Sequence, residues 1–211
     1  MTLLAICAVA TAMGYIGSMP LAGPVAVMTV SRAARKKYNE ALRVGLGAAV
    51  AEGLYAGVAF FGFTSLLARH AAVVRMSGGA TALVLCALGV HFMVWRLKEK
   101  KDRRENNMGT ALLGFSVSAA NPTLFLTWSA AVAFLYSKGL TRPPPAYAIP
   151  FGLSAAAGVA GWFFSLTLLL RKYGERLPGA AFTWAVRSMG VLLVGLGAWS
   201  GVDLVRWFEH G

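Results

Sequence analysis

Glu52 is the one carboxylate set deep inside an apolar run of this 211-residue chain. It lies eight residues beyond Val44, where the run 44–68 begins, or about 12 Å in at 1.5 Å per helical residue. A charge that deep in hydrocarbon costs several kcal/mol unless it is paired, and no lysine or arginine occupies the centre of any run. Glu52 is therefore expected to carry a proton or to meet a cationic group. The plain structural alternative is a protonated Glu bonded to a neighbouring helix, but intramembrane ionisable groups are functional by default.

Two other places could do chemistry. Gly23-Pro24 interrupts the first apolar run and Asn121-Pro122 interrupts the fourth. A proline inside a helix removes one N–H and blocks the carbonyl four residues earlier. In lipid the freed groups must find partners in protein or a water-lined cavity. Asn is a strong N-cap and Pro suits the first helical position, so each break reads as a helix restarting in mid-membrane. A restart aims free N–H groups and a partial positive charge at whatever lies before it. Two restarts facing one another would hold a carboxylate between them, so Gly23, Pro24, Asn121 and Pro122 are candidate binding residues. A simple proline kink is the bland alternative for either break taken singly.

The elements that must position these residues follow from composition. Apolar residues make up 57% of the chain and charged residues 13%, about half the charge of an average soluble domain. Six apolar runs, 2–30, 44–68, 76–94, 110–135, 146–170 and 188–205, each reach or approach the roughly 20 residues a membrane crossing needs. The fold class expected is an all-α integral membrane protein of six transmembrane helices, with no room for a separate soluble catalytic domain. The net charge of +12 sits mostly in alternate loops: 15 of the 20 basic residues fall in the loops after runs one, three and five. Positive loops stay cytoplasmic, so both termini are expected outside. That distribution is one of membrane orientation, and nucleic acid is not an expected partner.

The chain also repeats itself. Residues 23–33 (GPVAVMTVSRA) align with 121–131 (NPTLFLTWSAA) at an offset of 98; 56–59 and 157–160 are both AGVA, at 101; RMSG at 75–78 resembles RSMG at 187–190, at 112. Three matches in chain order imply two halves, 1–107 and 108–211, of three spans each. An odd number of spans makes the second half enter the membrane from the opposite side, giving two inverted three-helix repeats. Paired interruptions at matching places in the halves are the best sequence pointer to a transporter's substrate site. The residue matching Glu52 is Leu153, so the halves are chemically unequal.

Other residues carry less. Cys7 and Cys86 are isolated and form no C-x-x-C, which removes a dithiol relay and a thiolate metal site. His91 has no second span histidine for haem ligation, and Asp203 lies near the outer end of its run. Gly53-x-x-x-Gly57 and Gly197-x-x-x-Gly201 read as close-packing faces. Trp95, Trp184 and Trp207 read as interfacial belt residues, and Lys98–Arg104 as a solvated loop. With no acid–base pair in any span, no enzyme, cofactor or metal centre is expected.

On these residues the chain resembles the lysine exporter (LysE/RhtB) family of amino-acid efflux proteins. Gly23-Pro24 followed by Ser31-Arg32 and a basic loop is similar to the family's first-helix signature. The stretch from Gly47 to Gly62 with an acid at Glu52 resembles its second helix, Gly114-Phe115 leading to Asn121-Pro122 its fourth, and Arg187 to Gly197 its last. The family usually carries proline where Ala22 stands, aspartate where Glu52 stands and often lysine where Thr123 stands. The resemblance implies an inner-membrane transporter exporting amino acids or related small solutes, driven by protons, with the bilayer as its surroundings and a homo-oligomer as an option. Glu52 would take the coupling proton or the solute's ammonium. The competing readings are a metal-ion exporter of a related fold, for which Glu52 and Asn121 supply too few oxygen ligands, and a non-transporting membrane protein.

Overall fold

The computed structural model describes residues 2–19, 24–67, 107–137 and 144–173, with isolated helical positions at 83, 86, 87, 90, 93, 188, 191, 194, 195, 198 and 202. Among the described residues there is no strand. Helix α1 (Leu3–Gly17) starts at Thr2, whose hydroxyl accepts from the Ala5 N–H at 3.4 Å. It ends at Gly17, and at about 22 Å it is too short to cross a bilayer alone. Helix α2 (Pro24–Ala34) resumes the same apolar run with proline at its first position. It closes in a left-handed turn at Lys36, where the Lys37 N–H reaches back to the Arg32 carbonyl at 3.0 Å and the Lys36 N–H to Ala33 at 2.9 Å.

Helix α3 (Tyr38–Gly62), prolonged by a π turn at Phe63–Leu67, is unbroken. Helices α4 (Asn107–Ala119) and α5 (Pro122–Ser137) are the halves of the second interrupted run. Pro144 and a 3-10 turn at Pro145–Tyr147 lead into α6 (Ala148–Tyr173). Tyr38–Ser65 and Pro145–Tyr173 are each long and apolar enough to cross a membrane, and the bent pair Gly109–Ala119 with Leu124–Tyr136 reaches that length together. The expected runs 76–94 and 188–205 fall mostly outside the described residues. Among their described residues the Cys86 sulfur lies 4.0 Å from the Val194 carbonyl oxygen.

Helix α3 is the hub, touching α2, α4, α5 and α6, while α1 leans on α6. The packing is built from small residues. Gly45, Ala48, Ala49, Ala56 and Ala59, which share one face of this helix, are all buried. The large residues Leu46, Val50, Leu54, Val58 and Phe61 form an exposed stripe on its other side. Small residues inside and branched ones outside is the pattern of a helix packed in lipid, where close backbone approach replaces hydrophobic exclusion. At the crossing of α3 and α6, a Cβ on Gly152 would stand 2.7 Å from the Gly53 carbonyl oxygen. Only glycine allows that approach, as the Gly53-x-x-x-Gly57 spacing implied. Above it Phe60 stacks on Phe151, with ring centroids 4.5 Å apart. Two buried hydroxyls bond to their own helix backbone, Thr64 to Phe60 and Thr167 to Phe163, which satisfies them without water.

Candidate functional site around Glu52 and the broken helix

The break between α4 and α5 bends the run by 63°. Pro122 opens α5 with Asn121 just before it, the cap-and-first-residue arrangement read from the sequence. The backbone accounting is nearly complete. The Ala120 N–H bonds to Ser116, the Asn121 N–H tightens onto Ser118 at 3.0 Å, and the Leu124 N–H takes the Asn121 carbonyl at 3.2 Å. The carbonyl of Ala119, last residue of α4, would have served the N–H of residue 123 in a continuous helix. It accepts instead from the Tyr55 hydroxyl of α3, at 2.5 Å.

Glu52 lies three residues before Tyr55, on the same face of α3. It is half-buried, and the Trp128 indole N–H donates to its carboxylate. Trp128 belongs to α5, six residues beyond Pro122, and is only 5% exposed. Its ring meets Phe151 of α6 edge-on at 6.3 Å. Phe125, one turn earlier on α5, meets the Tyr55 ring at 6.0 Å. Two adjacent side chains of α3 thus hold the two halves of the interrupted run, Tyr55 the end of α4 and Glu52 the second turn of α5. The Ser118 hydroxyl beside the break is buried with no hydrogen-bond partner. Around the break Ala119, Ala120, Phe125 and Leu126 are exposed.

Of the residues singled out from sequence, the structure brings Glu52 to the Asn121-Pro122 break. Asn121 is half-buried. Pro24 opens α2 and is exposed, while α2 itself packs on α3 and touches α4. Gly23, His91, Asp203, the 197–201 glycines, Trp95, Trp184, Trp207 and the 98–104 loop lie outside the described residues. Tyr55 and Trp128 were missed. Each left a signal: Tyr55 is a hydroxyl one turn from the buried acid on its own face, and Trp128 is a tryptophan in mid-run rather than at an interface. The family profile of LysE type translocators matches residues 15–202. The chain belongs to that family. The family is one of membrane translocators of small solutes and not a family of enzymes, in keeping with the apolar helices of this chain. Comparison with curated proteins and with solved structures returned no match.

At the end of α6, the Arg171 guanidinium lies 6.0 Å from the centre of the Tyr38 ring at the start of α3. The basic clusters 32–43 and 171–172 therefore share one end of the bundle. There Arg32, 3% exposed at the end of α2, pairs with Glu40 at 3.7 Å, and Glu40 also takes Lys37 at 3.0 Å.

Proposed function

We propose that this LysE family member exports amino acids or closely related small solutes across a bacterial inner membrane, exchanging them for protons by alternating access. One observation carries the reading: the only carboxylate deep in an apolar run meets Trp128 beside a helix break. A lone acid there has two ways to be neutral, a proton or the ammonium of a solute, and it cannot hold both at once. That exclusivity is what an exchanger requires.

The solute's carboxylate would lie near the restarted helices at Pro24 and Asn121-Pro122, where backbone N–H groups and the helix dipole favour negative charge. Its ammonium would displace the proton from Glu52. A second fixed positive charge on the solute would find no second acid in the described spans, which favours neutral amino acids over lysine. Two inverted repeats, 1–107 and 108–211, would rock about the site to open it to each side in turn. The bias of 15 basic residues into alternate loops orients six spans with both termini outside. The test is efflux from proteoliposomes under an imposed pH gradient. Glu52→Gln should abolish pH-driven export while leaving the protein folded; unchanged pH-driven export would refute the coupling role.

A further inference from the structure

We infer that Tyr55 is the positioning residue of the α4–α5 break, anchoring the carbonyl at the end of α4 to the unbroken α3, and so setting the angle between the two half-helices beside Glu52. The inference rests on the reading of Glu52 as the transport site, but the geometry concerns Tyr55 itself.

Two of the backbone bonds between Ala119 and Leu124 are short-range turns. The Asn121 N–H turns to Ser118, and the Leu124 N–H turns to Asn121. Neither spans the bend, so neither fixes its angle of 63°. The Tyr55 hydroxyl ties the Ala119 carbonyl, at the very end of α4, to the rigid α3. Tyr55 is well placed for this. It sits on α3, the unbroken helix that touches both halves. Phe125 of α5 meets its ring edge-on at 6.0 Å, so the same side chain touches the second half-helix as well. One turn back Glu52 takes the Trp128 indole, again on α5. A carbonyl without a donor is costly where no water can reach it. Removing the hydroxyl therefore frees α4 to turn in search of another donor, and the buried Ser118 hydroxyl, one residue away and unpartnered, is at hand.

The consequence is a division of labour on one helix face. Glu52 handles the proton or ammonium, and Tyr55 keeps the break in the geometry that presents Trp128 to Glu52. Loss of the hydroxyl should loosen the angle and slow the transport cycle without removing the binding group. The expected split is a maximal export rate lower by about tenfold, the effect of leaving one backbone acceptor without its donor in an apolar medium, with KM changed less than about twofold, since no group that binds solute is removed.

The experiment uses the full chain in lipid. Spin labels are placed at the exposed positions Leu112 of α4 and Leu126 of α5, after Cys7→Ala and Cys86→Ala, and their separation is read by pulsed electron resonance. The parent should give one narrow distance distribution, and Tyr55→Phe, which keeps the ring, a broad one. A distribution as narrow as the parent's overturns the inference, whatever Glu52→Gln does to transport. Broadening upholds it even if Glu52→Gln exports normally under a pH gradient, a result that would sink only the coupling reading. Should Tyr55→Phe not purify, Phe125→Leu removes the ring that orients the tyrosine; partial broadening supports the inference and an unchanged distribution overturns it.

Discussion

The two interrupted helices lean on the two long ones in a crossed arrangement, and the contacts differ in kind. Helix α1 packs on α6 where Gly14 faces Ala155 and Gly158 faces Thr11, and α4 packs on α3 where Gly114 faces Val44 and Gly47 faces Ala111. The frames are alike. In the first region Tyr15 of the broken helix donates to the Ser165 hydroxyl at 3.1 Å and meets Trp162 edge-on at 5.7 Å. In the second the tyrosine sits on the long helix and reaches a backbone carbonyl, next to an acid and an indole. Leu153, the repeat's match for Glu52, is 68% exposed on the outer side of α6. Arg32, buried and ion-paired at the end of α2, is matched by Ala130. The two packing frames are alike while their ionisable groups are not, and on the proposed reading the unmatched groups mark where a proton or a charged solute would be handled.

The most severe way to test that contrast is to exchange the two matched positions. In Glu52→Leu combined with Leu153→Glu, pH-driven export should be lost entirely. The new acid would face hydrocarbon, at about 3 kcal/mol on insertion scales, so membrane yield should also fall. Recovered export would show that the regions are interchangeable and would defeat the comparison. Next in size is Gly152→Leu at the α3–α6 crossing. Its side chain would meet the Gly53 backbone within 2.7 Å of the Cβ. Overpacking of this kind costs about 3 kcal/mol or more, and thermal unfolding in detergent should show a large drop. The smallest effect belongs to Tyr15→Phe. Ser165 keeps its own bond to the Gly161 carbonyl at 2.9 Å, so nothing is orphaned. The loss should stay within about 1 kcal/mol, with export near that of the parent protein. If Tyr15→Phe and Tyr55→Phe slow export equally, the distinction drawn between a side-chain partner and an orphaned carbonyl fails.

Much of this was legible in the linear order of residues. Glu52 was noticeable because carboxylates are rare in apolar runs, and the breaks because Gly-Pro and Asn-Pro disrupt a helix by their own backbone chemistry. The small face of α3 was legible from its 3.6-residue spacing. Tyr55 and Trp128 were not, because their roles lie between elements. Nothing in the local sequence says that the carbonyl of residue 119 will point at the hydroxyl of residue 55, 64 positions away. Nor does a repeated motif say what it will touch: in the AGVA of 56–59 Gly57 lies against Ala148 and Gly152 of α6, whereas in that of 157–160 Gly158 lies against α1.

Properties that act residue by residue were set by the sequence alone: the affinity of the runs for lipid, the depth of the acid, the sites where a helix must stop and restart, and the glycines on which helices can touch. The rotation of each helix about its axis, and the register in which two helices cross, were decided only by tertiary packing. Both depend on how whole faces of small residues fit together, and a slip of one turn would carry Glu52 away from Trp128 and Tyr55 away from Ala119 without changing a single residue.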